Sequence, residues 1–183
     1  MAMRLPGKSL VVAAWLIALH TSSAPAQVLE RGTIIDRVQC AEDPEQSYSL
    51  YLPSTYSTGR PWSLVLAFHP AARGRLMVEK FRAGAEQYGY IVAASNNSRN
   101  GPLAISHAAA RAMSTDVSRR FPIDPQRVYL AGMSGGARVA TGIALGKNNI
   151  AGVIASSAGY PDSQPRASVP FAIFSLGALL HHG

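Results

Sequence analysis

The rhythm of apolar and polar positions changes near residue 63. Ahead of it, Gly32-Thr33-Ile34-Ile35-Asp36-Arg37-Val38 and Tyr48-Ser49-Leu50-Tyr51-Leu52 read as two strands. The second alternates until Pro53 stops it, as in an outer antiparallel pair. Ser63-Leu64-Val65-Leu66-Ala67-Phe68 is a continuous apolar run of strand length, which marks a strand buried on both faces. From there strand and helix alternate. A helix is predicted over 76–88, with Met77, Phe81, Ala85 and Tyr88 facing inward and Gly89 as its stop. Ile91-Val92-Ala93-Ala94 is the next strand. The loop Ser95 to Gly101 leads to Pro102 at a helix start, and Ile105, Ala109, Met113 and Val117 form the buried stripe of that helix, which Pro122 and Pro125 end. Val128-Tyr129-Leu130-Ala131 is a strand; Val139, Ala140, Ile143 and Ala144 face inward on the following helix, with Gly146 as cap. Gly152-Val153-Ile154-Ala155 and Phe171-Ala172-Ile173-Phe174 are the last two strands. Such alternation builds a mostly parallel sheet with helices on both faces.

Between the strand at Val128 and the helix that follows lies Gly132-Met133-Ser134-Gly135-Gly136, a G-x-S-x-G sequence in a strand, turn, helix context. A serine on so tight a turn has its Oγ pushed out above the carboxyl edge of the sheet, where ligands bind in open α/β sheets, and only glycines at 132 and 136 let strand and helix approach closely enough. The N–H of Gly135 then points where negative charge on an oxygen is stabilised. Tyr160 and the Asn96-Asn97 loop are expected at the mouth of this site.

At the front of the chain, Arg4 and Lys8 precede an apolar run from Ser9 to Leu19, and Ala24-Pro25-Ala26 supplies the small residues a signal peptidase reads. Residues 1–26 are therefore expected to be a signal peptide and 27–183 the mature domain, secreted or periplasmic. The apolar run is short of the ~20 residues that span a bilayer, so no stable membrane anchor is expected after cleavage. Loss of Arg4 and Lys8 lowers the formal charge from +7 to +5. The remaining arginines are scattered and form no basic stripe, which excludes nucleic acid as the expected partner. Cys40 is the only cysteine, so no intrachain disulfide forms. With no zinc-ligand spacing, no G-x-G-x-x-G and no P-loop, the expectation is chemistry without a metal or cofactor.

From Tyr48 to about Phe174 the chain resembles the α/β-hydrolase fold, nearest to secreted poly(3-hydroxybutyrate) depolymerase-like, feruloyl-esterase-like and dienelactone-hydrolase-like esterases. The resemblance rests on Leu64 to Pro70, Tyr88-Gly89-Tyr90-Ile91-Val92, Asp124-Pro125-Gln126-Arg127-Val128-Tyr129-Leu130-Ala131-Gly132-Met133-Ser134-Gly135-Gly136, and Ala151 to Ala155. It implies that Ser134 attacks the carbonyl of a small-molecule or polymeric ester, helped by two backbone donors and a histidine held by a carboxylate. The second donor is expected in the loop after Phe68. There Pro70 has no N–H, so Ala71 or Ala72 is the candidate, with His69 bracing the loop.

The resemblance also implies an acid after the strand at Phe171 and a histidine one helix and strand later. Past Phe174 the pattern is lost in Ser175 to Gly183, and no aspartate or glutamate follows Asp162. The expectation is thus an incomplete domain lacking the last strand and helix, either truncated or frame-shifted. Asp162 with His181 or His182 keeps the family's order of serine, acid and histidine, and these three are the candidate stand-ins. Two other readings share the sequence: a non-catalytic remnant of such an esterase, and a serine peptidase of the same fold.

Overall fold

Two-residue alternation along the central strands sorts their side chains into two cores, one on each face of a twisted sheet. The computed structural model describes residues 29–146 and 149–158 and the backbone of 171–174. Its elements are β1 (Ile34–Gln39), β2 (Ser47–Tyr51), β3 (Trp62–Phe68), α1 (Gly74–Tyr88), β4 (Tyr90–Ser95), α2 (Leu103–Arg120), β5 (Ile123–Met133), α3 (Gly135–Leu145), β6 (Gly152–Ser156) and β7 (Phe171–Phe174). The sheet order is β1-β2-β4-β3-β5-β6-β7. β1 and β2 pair antiparallel, β2 joins β4 antiparallel, and every pairing from β4 to β7 is parallel. Leu64, Leu66 and Phe68 of β3 with Ile91 and Ala93 of β4 face α2 and α3; Val65, Ala67, Val92 and Ala94 face α1. The parallel strands thus all present their carboxyl ends on one edge, where the connecting loops collect.

Every expected strand and helix is present within the described residues, but several side chains point elsewhere than the patterns predict. β1 and β2 form the outer antiparallel pair that the sequence predicts, with β1 at the edge; β2, flanked by β1 and β4, is buried along its whole length despite its alternation. Tyr88, expected inward, is 65% exposed: it is the last residue of α1, where Gly89 (φ 71°) turns the chain away into β4. Ile105 is also exposed. Steps of four residues advance about 40° beyond a full helical turn, so counting back from Val117 rotates Ile105 off the stripe. The buried face of α2 instead runs through Ser106, Ala109, Ala110, Met113, Asp116 and Val117. Pro125 does not end a helix. It lies in β5, inside the irregularity between the pairs Trp62↔Ile123 and Leu64↔Val128, where its missing N–H costs no ladder bond.

Asp116 ties the front of the domain to α2. The Tyr48 hydroxyl donates to its Oδ2 at 2.7 Å, the Ala41 N–H to its Oδ1 at 2.9 Å, and Arg120 Nε to Oδ2 at 2.6 Å. Burial alone would raise the Asp116 carboxyl. The bonds from Arg120, Ala41 and Tyr48 and the charge of Arg120 outweigh it, so the carboxyl is held below its ordinary value. Burial, with the bond to Asp116, pushes the Tyr48 hydroxyl strongly up.

Candidate active site

Ser134 sits between the end of β5 and the start of α3 with φ 51° and ψ −119°, a conformation that a residue with a Cβ adopts only under strain. The bend is fixed from both sides. The Ser134 N–H donates to the Ser156 carbonyl at 2.7 Å, and its own carbonyl accepts from Ala137 at 2.9 Å and Arg138 at 3.3 Å. The side chain is exposed, with Gly132 and Gly136 buried beneath it. A Cβ on Gly132 would lie 2.2 Å from the Gly136 carbonyl oxygen, and one on Gly136 would lie 2.2 Å from the Phe68 carbonyl oxygen. The two glycines therefore let β5, α3 and the end of β3 meet in van der Waals contact. Gly135 opens α3, so its N–H has no carbonyl one turn back to bond.

The loop after β3 forms one wall. His69 is buried, and its Nδ1 accepts from the Ala71 N–H at 3.0 Å, while the Ala72 N–H reaches the His69 carbonyl at 3.3 Å. Burial, with Arg73 and Lys80 nearby, lowers the His69 pKa, so the imidazole is neutral with its proton on Nε2. His69 braces this loop through a hydrogen bond to its backbone. The two alanine N–H groups expected as oxyanion donors are both engaged inside the loop, and Ala72 is held at φ 55°.

The loop after β4 forms the roof. Ala71 and Arg99 make an antiparallel bridge, and the Asn100 N–H donates to the Pro70 carbonyl at 2.8 Å. Ser106 clamps the same loop, its Oγ accepting from the Arg99 N–H at 3.2 Å and donating to the Arg99 carbonyl at 3.0 Å. Asn96 and Asn97, expected at the mouth, turn away from it. The Asn96 carboxamide donates to the Asp36 carbonyl, and that of Asn97 accepts from the Ser47 N–H and donates to the Glu45 carbonyl. Asn100 takes the position over the elbow instead: a Cβ on Gly135 would lie 1.8 Å from Asn100 Oδ1 and 3.5 Å from Pro70 Cβ. The sequence held one signal for this, the glycine at 135, which the bend itself does not require.

Tyr160, Asp162, His181 and His182 lie outside the described residues. The described histidines are His69, which braces the loop, and His107, which lines a cavity of about 610 Å³ between α2 and α3. That cavity is not part of the serine site: Ser134 and Gly135 do not line it, and Leu64, Leu66, Phe68 and Leu130 on its floor are each at most 5% exposed. Among the described residues no group of three or more His, Cys, Asp or Glu side chains is arranged to hold a metal ion.

No protein-family model and no curated protein matches the sequence. Solved structures do match. A thermostable carboxylesterase cloned from a metagenomic library superposes with a TM-score of 0.53 at 15% identity, over 69% of this chain and 47% of that one. An acetyl xylan esterase from Aspergillus awamori gives 0.54 at 19%, over 73% and 57%. A fluorophosphonate-binding serine hydrolase from Staphylococcus aureus, with substrate bound, gives 0.54 at 14%, over 70% and 58%. The chain thus spans about half the length of the structures it matches. With TM-scores of 0.53 and 0.54 over 69–73% of its length, the chain has the α/β-hydrolase fold.

Proposed function

We propose that the protein is an exported serine hydrolase of carboxylic esters that works through an acyl-enzyme on Ser134, nearest to the depolymerase-like, feruloyl-esterase-like and dienelactone-hydrolase-like branch. The observation that carries this is the exposed Ser134 at φ 51°, on a bend built by two sterically obligatory glycines beside the N–H of Gly135, which has no intrahelical partner. In this reading Ser134 Oγ bonds to the ester carbonyl carbon while its proton passes to a base. The carbonyl electron pair moves onto oxygen, facing the Gly135 N–H. Collapse expels the alkoxide, which takes the proton back from the base, and water then releases the acid by the same steps. Asp162 with His181 or His182 supplies the base. Ala71 or Ala72 contributes a donor only by giving up its bond inside the loop. Export rests on the residues 1–26 pattern, and sequencing the mature N-terminus tests it, with Gln27 expected first.

A fluorophosphonate probe is expected to label Ser134 in the parent and to leave Ser134→Ala unlabelled. Absence of labelling in folded parent protein overturns the proposal. Among the described residues His69 braces the loop after β3 and His107 lines the cavity between α2 and α3, which favours a second reading as a non-catalytic remnant. The remnant predicts a folded chain that takes no label, and ester turnover excludes it.

A further inference from the structure

Acyl transfer to a serine needs two donors aimed at the developing oxyanion, and the backbone here supplies one without rearrangement. Pro70 has no N–H, the Ala71 N–H is held by His69 Nδ1 and the Ala72 N–H by the His69 carbonyl, so Gly135 stands alone. The side chain of Asn100 lies against the Cα face of Gly135. Its Oδ1 and Cγ would lie 1.8 Å and 2.9 Å from a Cβ at 135, so the carboxamide fills the space a side chain there would take.

Two features make this placement more than contact. The Asn100 backbone is anchored, its N–H bonded to the Pro70 carbonyl at 2.8 Å and its neighbour Arg99 bridged to Ala71, so the side chain starts from a fixed point. The carboxamide itself has no hydrogen-bond partner among the described residues, unlike those of Asn96 and Asn97 in the same loop. A half-turn about its last torsion exchanges Oδ1 for Nδ2 at no cost in bonds. That turn puts an N–H₂ group against Gly135, the residue whose N–H is the first oxyanion donor.

Resting on the serine-hydrolase reading, we propose that Asn100 is a catalytic residue whose side-chain Nδ2 is the second oxyanion donor, in place of the loop amides. The glycine at 135 follows from this: any larger residue would displace the donor.

The test compares Asn100→Ala, Asn100→Asp, Gly135→Ala and the double variant Asn100→Ala/Gly135→Ala with the parent. Readouts are steady-state hydrolysis of a short-chain p-nitrophenyl ester, the rate of fluorophosphonate labelling, and the melting temperature. Loss of one side-chain donor is expected to lower kcat and the labelling rate by about 10²- to 10³-fold with KM little changed. Gly135→Ala is expected to give a similar loss alone and little more in the Asn100→Ala background, since both remove the same donor. Asn100→Asp keeps the shape of the carboxamide and removes its donors, so it separates donation from packing should Asn100→Ala lower the melting temperature. An active parent whose folded Asn100→Asp and Asn100→Ala variants stay within about threefold in kcat overturns the assignment of Asn100 and leaves the serine-hydrolase reading intact. A folded parent with no labelling and no turnover overturns both.

Discussion

Asp116→Ala removes the acceptor of three donors at once, and the structure says which loss dominates. The Tyr48 hydroxyl is wholly buried, so it keeps no route to water, and an orphaned buried donor costs about 1–3 kcal/mol. Ala41 is exposed, so its N–H exchanges the carboxylate for solvent at small cost. The Arg120 side chain is 29% exposed and still reaches the Gln39 carbonyl at 3.1 Å, so it forfeits only part of the ~3–5 kcal/mol lost on breaking a fully buried pair. The sum is about 3 kcal/mol, or about 6–12 °C in melting temperature for a chain of this size. Tyr48→Phe leaves Asp116 satisfied by Arg120 and Ala41 and is expected to cost about 1 kcal/mol. The carboxyl is held below its ordinary value in the folded chain, so its contribution is complete above the unfolded pKa and is lost as pH falls through the folded one. The melting-temperature gap between parent and Asp116→Asn should therefore close in acid, below the ordinary aspartate pKa. Circular dichroism melts over a pH series measure both effects. An Asp116→Ala variant melting within about 2 °C of the parent, less than 1 kcal/mol on the same scale, refutes the reasoning.

Gly136→Ala places a methyl 2.2 Å from the Phe68 carbonyl oxygen and 2.5 Å from its carbon, both backbone atoms that no rotamer change moves. It is expected to destabilise by about 3 kcal/mol or more. Gly142→Ala, whose Cβ meets only His107 Nε2 at 3.9 Å, is the control and should gain from helix propensity; a Gly136→Ala chain as stable as Gly142→Ala refutes the close-approach argument. Burial, with the charges of Asp116 and Asp43, pushes the Cys40 thiol up to about 11. A disulfide reagent near about pH 8 should therefore react with it only in denaturant, and equal rates in folded and denatured protein contradict the burial.

What could be read from sequence was what depends on neighbours in the chain. The run from Ser63 to Phe68 announces a central strand because burial on both faces needs no polar positions. The elbow is readable because glycines at 132 and 136 serve a bend five residues long. Where tertiary neighbours decide, the pattern misleads. The alternation of β2 suggests one solvated face, yet Ser47 and Ser49 are buried, and the Ser49 hydroxyl lies 2.8 Å from the Asp36 carbonyl. Asp116 looks like a solvent-facing charge on α2 until Tyr48 and Ala41, far away in sequence, are placed against it. Asn100 sits at the end of a run of five polar residues, Asn96 to Asn100, that composition cannot rank. Its two neighbours Asn96 and Asn97 are consumed in pinning that loop to β1 and β2, and only the fold shows which amide is left over.

The strain at Ser134 itself gives a test in which stability and activity move in opposite directions. A residue held at φ 51°, ψ −119° costs about 1–3 kcal/mol, and the bend keeps that geometry because the Ser156 carbonyl and the first turn of α3 bond the Ser134 backbone whatever its side chain. Ser134→Gly relieves the strain, since glycine populates positive φ about as readily as negative, and gives back about 0.4–1 kcal/mol through the freer unfolded chain. The net is a gain of about 1 kcal/mol, seen as a rise of about 2–4 °C. Ser134→Ala keeps the Cβ and therefore the strain, so it should melt with the parent although it lacks the hydroxyl just as the glycine variant does. Both should be unlabelled by the fluorophosphonate. If Ser134→Gly melts at or below Ser134→Ala, the bend is not strained, and the idea that stability is given up to hold the hydroxyl over the sheet edge goes with it.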